Sequence, residues 1–196
     1  MGISIHYKGK LNNTTLLQSF IDEVEDISKD MNWDYNLFEN DINLPNTSKI
    51  ENGIISGHLP LRGISINIHP KAERLYFYFD KNGNLRNLIS ACLSKEDEIK
   101  PNSTSIKTQF APIEIHITII NLLKYIKSKF ISNLEVNDEG EFWETGDKLL
   151  LRQKFDYLNR ALNKVAGLID EMQIRYNETP DEILARLMEV LKRLNN

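Results

Sequence analysis

The sequence predicts an α+β protein: a mostly antiparallel sheet packed by two helices, followed by a C-terminal helical hairpin. Three observations carry that reading. Segments at 3–8, 63–68 and 75–80 alternate apolar and polar side chains, the period of a strand with one buried face. Segments at 17–31 and 112–130 repeat apolar residues at helical spacing, and residues 151–176 space theirs by alternating fours and threes. The expected organisation is an α+β domain over 1–147 and a helical hairpin over 148–196, packed on that domain or on a second subunit.

The first strand sets Ile3, Ile5 and Tyr7 on one side and Ser4, His6 and Lys8 on the other. After Asn12-Asn13-Thr14, the residues Leu17, Phe20, Ile21, Val24, Ile27 and Met31 line one helical face, and the opposite face carries Asp22, Glu23, Glu25, Asp26, Lys29 and Asp30. Such a helix lies on a core with one side in water. Between Trp33 and Glu51 the chain is polar and broken by Pro45, which predicts a short strand at 35–38 and then a loop. Two firmer strands follow, Gly63 to Ile68 and Leu75 to Asp80. Asn82-Gly83 accommodates the positive φ of a tight turn, so Leu85 to Ile89 is expected to be the return strand. A calcium loop there is rejected because Gly83 precedes the third candidate ligand.

Residues 94–104 read as a surface loop and 105–110 as a short strand. In 112–130, Ile113, Ile115, Ile117 and Ile119 alternate as in a strand, but Pro112 suits a helix start and Lys124, Lys127 and Lys129 suit its end. The expectation is a largely buried helix. Leu134 to Asn137 reads as a strand, and Asp138-Glu139-Gly140 as a turn into Glu141-Phe142-Trp143-Glu144.

In the last third, Leu151, Phe155, Leu158, Leu162, Val165, Ile169, Met172 and Tyr176 form a heptad-like seam, and Thr179-Pro180-Asp181-Glu182 is a capping box opening a final helix. A helix over 148–176 would run about 43 Å and the final one about 22 Å, so they do not match end to end. Leu151, Phe155 and Leu158 must then find cover elsewhere. The residues Leu151, Phe155, Leu158, Leu162 and Val165 are the candidate interaction surface.

Composition is that of an ordinary globular chain, 41% hydrophobic and 27% charged. A single cysteine, Cys92, excludes an internal disulfide framework, and the start MGISIHYK lacks a signal-peptide apolar run, so the expected location is cytoplasmic. His6 stands where a myristoylation motif wants Ser or Thr. No apolar stretch reaches the roughly 20 residues of a membrane span. Six of the acidic residues, Glu135, Asp138, Glu139, Glu141, Glu144 and Asp147, fall within 132–147 without a Lys or Arg, leaving the rest of the chain near neutral. Nucleic-acid binding needs clustered cations, so no such partner is expected.

His6, His58, His69 and His116 stand alone, outside any zinc spacing, and are read as structural or solvated. No nucleophile elbow, phosphate loop or dinucleotide fingerprint occurs. The candidate site is Glu114, His116, Asp138, Glu139, Glu141, Trp143 and Glu144. The bland reading of the acidic segment is a solvated hairpin tip anchored by Phe142 and Trp143. Carboxylates at that density also suit a divalent metal or acid–base work with His116.

The Ile-rich first strand, Lys107-Thr108-Gln109-Phe110 ahead of the His116 helix, Leu134-Glu135-Val136 with Asp138-Glu139-Gly140, and Trp143-Glu144-Thr145-Gly146-Asp147 together resemble a family of small uncharacterised bacterial proteins with no known activity. The resemblance covers roughly residues 1 to 160 and implies a bacterial origin without assigning a reaction.

The function expected first is a cytosolic binding module whose partner is another protein or a second copy, without a cofactor. The alternatives are a metal-assisted hydrolase using His116 and the 135–147 segment, with a divalent metal, and an acidic inhibitor or immunity-type protein that neutralises a basic partner.

Overall fold

The computed structural model describes residues 2–93, 103–171 and 179–194. The chain divides into two compact units, Met1–Leu151 and Arg152–Asn196. The α+β class is as the periodicities predict.

In the first unit, β1 (Ser4–Lys8) is the centre of a three-stranded antiparallel sheet, flanked by β7 (Thr104–Lys107) and β8 (Glu135–Asp138). Its alternation is that of the sequence: Ile5 and Tyr7 are fully buried. A second antiparallel sheet has the order β2 (Asp34–Glu39), β5 (Arg62–Asn67), β6 (Leu75–Phe79). The Tyr7 hydroxyl accepts from the Tyr76 amide (3.1 Å) and donates to the Tyr76 carbonyl (2.9 Å), linking β1 to an edge strand of the second sheet. Burial removes the hydroxyl from water and pushes its pKa well above the usual tyrosine range.

A 3-10 turn at Thr14–Leu16, capped by Asn13, leads into α1 (Leu17–Asp30). Phe20 on the buried face of α1 meets Phe77, Phe79 and Phe130 edge-on at 5.4, 5.1 and 5.2 Å. That geometry sets a positive ring edge against a negative face and adds to the apolar burial. The ambiguous segment 112–130 folds as α3 (Ile113–Lys129), burying His116, Ile119, Ile120, Leu122, Leu123 and Ile126.

Four local expectations need correction. The return strand expected at 85–89 is reduced to a single bridge between Phe79 and Leu85, and α2 (Leu88–Leu93) begins instead. Its start is set by the Asn87 side chain, which accepts from the Ile89 and Ser90 amides. The loop expected up to Glu51 contains the first strand of a hairpin, β3 (Lys49–Glu51) and β4 (Ile54–Ser56), turning at Asn52-Gly53 with positive φ at both residues. The strand expected at 105–110 ends at Lys107, because the chain turns where the Ala111 amide donates to the Thr108 carbonyl. Residues 142–145, read as the far side of a hairpin turn, form a one-turn helix, α4 (Phe142–Thr145).

The second unit contains α6 (Pro180–Leu194) and most of α5 (Lys148–Glu171). The capping box is formed as expected: Glu182 accepts from the Thr179 amide at 2.9 Å, and the Glu182 amide donates to the Thr179 hydroxyl at 3.4 Å. The turn of the expected hairpin, with Met172 and Tyr176 of the seam, lies outside the described residues, as does most of the loop expected at 94–104. Among the described residues no helix is long and apolar enough to cross a membrane.

Candidate functional site

β1 is the frame of the site because it pairs with two strands that end near each other. Ser4 pairs with Lys107 and Ile5 with Asp138, so the C-terminal ends of β7 and β8 emerge at the same end of the sheet. Beyond β7, the Thr108 amide donates to the Ile3 carbonyl (3.0 Å), extending the ladder by one residue. The turn at 108–111 then starts α3, and one turn into α3 His116 returns over Thr108. Thr108 Oγ1 lies 2.7 Å from His116 Nδ1, and His116 Nε2 lies 3.0 Å from Asp138 Oδ1. Thr108 and His116 are 0% exposed and Asp138 4%.

Asp138 does more than face the imidazole. Its Oδ1 accepts from the Gly140 amide (2.7 Å), and its Oδ2 accepts from the amides of Phe142 (2.8 Å) and Trp143 (3.0 Å). These are amides of the turn and of the first turn of α4, which have no partner within the helix. The carboxylate therefore caps α4 from a buried position. It also holds a turn in which Glu141 adopts a φ of 59°, a conformation that favours glycine. Burial alone would raise the Asp138 pKa; the hydrogen bond and charge of His116, with the Trp143 and Gly140 amides, outweigh it and hold the carboxyl below the usual carboxylate range.

Gly140 closes the site. A Cβ there would lie 2.6 Å from Leu151 Cδ1, 2.8 Å from His116 Nε2 and 3.0 Å from Asp138 Oδ1, so only glycine lets the turn and Leu151 approach the ring this closely.

Of the residues singled out from the sequence, His116 and Asp138 meet directly. Glu139 does not join them: it is exposed, accepts from the Ser4 amide at 2.7 Å and has Oε1 4.0 Å from His6 Nε2. Glu114, Glu141 and Glu144 are exposed. Trp143 is half-buried, with the ammonium groups of Lys124 and Lys127 at 5.6 and 5.8 Å from its ring. Five of the six carboxylates of the acidic segment, Glu135, Glu139, Glu141, Glu144 and Asp147, are exposed, and Asp138 is the exception, an internal cap. Among the described residues no three of His, Cys, Asp and Glu are grouped to hold a metal. On α5, Leu151, Phe155 and Leu158 are buried, Val165 is half-buried and Leu162 is 36% exposed.

Thr108 is the member of the network that sequence reasoning did not assign a role. It lies eight residues before His116, outside any helical or strand register with it. The one local signal was Asp138-Glu139-Gly140, an Asp two residues before a glycine, which is how Asx turns are built.

In order and chemistry, Thr108, His116 and Asp138 are a hydroxyl, a base and a carboxylate in series, the groups of an acyl-transfer triad. Such a triad must present its hydroxyl to a substrate, whereas Thr108 Oγ1 faces the ring and the Ile3 carbonyl in a fully buried position. The arrangement can hold a proton internally and fix three strand and helix ends. No family model, curated protein or solved structure matches the chain.

Proposed function

We propose that this chain is a cytoplasmic protein-binding module that associates with a second copy of itself through its C-terminal helices. The observation that carries the reading is the apolar stripe on α6: Leu184 and Met188, one turn apart, are 57% and 55% exposed. The helix has its own formed capping box, which fixes its start independently of any partner. Leu162 and Val165 continue on α5 the fours-and-threes spacing that packs helix against helix.

A second copy is the occupant favoured by charge. The α6 sequence opens with Asp181 and Glu182 and ends with Lys192 and Arg193, so two copies of the helix set antiparallel bring opposite charges together at both ends. A single cysteine, which leaves no internal disulfide, agrees with a reducing compartment.

Light scattering of the full chain over a range of concentrations tests the proposal. The expected result is a dimer that becomes monomeric in Leu184→Lys/Met188→Lys with an unchanged circular dichroism spectrum. A wild-type chain that stays monomeric at the highest concentration refutes it.

A further inference from the structure

The Thr108 hydroxyl has one proton and two acceptors within reach. His116 Nδ1 is 2.7 Å away and the Ile3 carbonyl 3.3 Å away. When the imidazole is neutral and protonated on Nε2, that N–H donates to Asp138 and the hydroxyl donates to Nδ1. When the imidazole is cationic, both ring nitrogens donate: Nε2 to Asp138 Oδ1, and Nδ1 to Thr108 Oγ1. The hydroxyl proton then turns to the Ile3 carbonyl. Every ring nitrogen has a partner in either state, although the site is sealed from water. The two states differ by one proton on the ring and a turn of the Thr108 hydroxyl, and because the ring is fully buried that proton exchanges with solvent through transient opening of the site.

We propose that Thr108, His116 and Asp138 form a buried proton switch, in which the imidazole takes up and releases a proton inside the folded protein and the turn at 140–143 registers the change. The coupling to that turn is Asp138 itself. Its carboxylate is shared between the ring and the amides of Gly140, Phe142 and Trp143. An imidazolium draws charge from the carboxylate and weakens it as an acceptor for those amides. In the neutral state the pocket holds the full Asp138 charge; in the cationic state it holds an ion pair of zero net charge.

The other groups near the ring cannot substitute for Asp138. The Ile3 carbonyl, just before β1, lies 3.3 Å from Thr108 Oγ1, and Leu151 Cδ1 of α5 and His116 Nε2 lie 2.6 and 2.8 Å from where a Cβ on Gly140 would sit. Glu114 on the same helix, Glu139 after β8, Glu141 and Glu144 around α4 and Lys148 at the start of α5 are exposed. His6 and Glu139 approach each other on the solvent side of β1.

The test is a pH titration of the ¹⁵N-labelled full chain by NMR, following the His116 ring and the Gly140, Phe142 and Trp143 amides. At high pH the expected ring is protonated on Nε2 and bare on Nδ1, and at low pH it is protonated on both. The three amides are expected to shift with the same midpoint while the fold persists. Thr108→Val deprives the cationic ring of its Nδ1 acceptor, so that midpoint falls by about one pH unit or more, a tenfold loss of proton affinity, and Thr108→Ser restores it. A neutral ring protonated on Nδ1, a ring that does not titrate before acid unfolding, or an unchanged midpoint in Thr108→Val overturns the proposal. If Thr108→Val does not fold, the wild-type ring protonation and the shared midpoint decide the matter.

Discussion

Replacing Asp138 by Ala removes one side chain and orphans several groups at once. The amides of Gly140 and Phe142 lose their acceptor in a buried turn, the half-buried Trp143 amide loses its own, and His116 Nε2 loses the carboxylate 3.0 Å away. A buried donor left without an acceptor costs about 1–3 kcal/mol, and breaking a buried ion pair by deleting one partner about 3–5 kcal/mol. These overlap, because relaxation of the turn lets water reach Trp143, so about 3–5 kcal/mol is expected for the whole substitution. For a cooperative unit of 150–250 residues that corresponds to a fall in Tm of roughly 6–20 °C. Thermal unfolding at pH 7, followed by circular dichroism with Glu135→Ala as control, measures it. Glu135 pairs with Lys8 at the surface, a contact of the kind that contributes about 1 kcal/mol or less. If Asp138→Ala falls no further than Glu135→Ala, the carboxylate is not the internal cap inferred from its three amide bonds.

Acid stability should carry the mark of the same carboxylate. Since folding holds the Asp138 pKa below its ordinary value of 3.8, its contribution is complete above that pH and is lost as pH falls through the lower folded-state value. Asp138→Asn should therefore flatten the acid limb of a stability–pH curve, read by urea unfolding, and an unchanged limb would show that Asp138 is not linked to it. Phe20→Ala, which empties the space between Phe77, Phe79 and Phe130, should lower the unfolding free energy by about 3–5 kcal/mol; a loss below 1 kcal/mol in the same assay would mean these rings repack freely. Gly140→Ala pushes a methyl between Leu151 and the imidazole and should speed amide exchange at Phe142 and Trp143. Wild-type exchange rates in that variant would show that the turn has room to spare.

How much of this was legible in the sequence depended on whether a segment has one buried face. β1 and α1 do, and in β5 and β6 the apolar alternation of one face stands out although Gly63, Ser65 and Tyr78 of the other are buried too, so the periodicities of all four gave their type and nearly their ends. The β3–β4 hairpin has none: Ile54 is 69% exposed, so its two short strands carry no alternation beyond the Asn52-Gly53 turn. α2 and α4 are too short for a helical period to show, and their starts are fixed by side-chain caps, Asn87 for one and Asp138 for the other. In α3 the alternating isoleucines argued for a strand, while Pro112 and the terminal lysines argued for a helix, and the helix formed with Asn121, Lys124, Tyr125 and Ser128 exposed and Ile119, Ile120, Leu123 and Ile126 buried. For the site, residue types pointed to His116 and Asp138, but the contact among residues 108, 116 and 138 exists only because β1 pairs with β7 and β8 together. That pairing is a tertiary fact, and no local pattern states it.

Burial of an ion pair is often no gain over an apolar filling of the same volume, so the network needs a reason beyond stability. Asp138 has one that His116 lacks. Without His116 the carboxylate still answers three amides, whereas without Asp138 nothing of similar size answers them. The double variant Thr108→Val/His116→Leu, which keeps Asp138 and refills the space with apolar atoms, should therefore lose less than Asp138→Ala, about 1–3 kcal/mol against about 3–5 kcal/mol. It should also keep slow amide exchange at Phe142 and Trp143 while abolishing any pH response those amides share with the His116 ring. The opposite ranking, with the double variant the weaker protein, would place the structural role on the imidazole and reduce the Asp138 bonds to the turn to bystanders. Measured together, unfolding free energy and amide exchange separate the two duties assigned to this pocket: the carboxylate sets the chain's path from β8 into α4, and the histidine makes that path responsive to a proton.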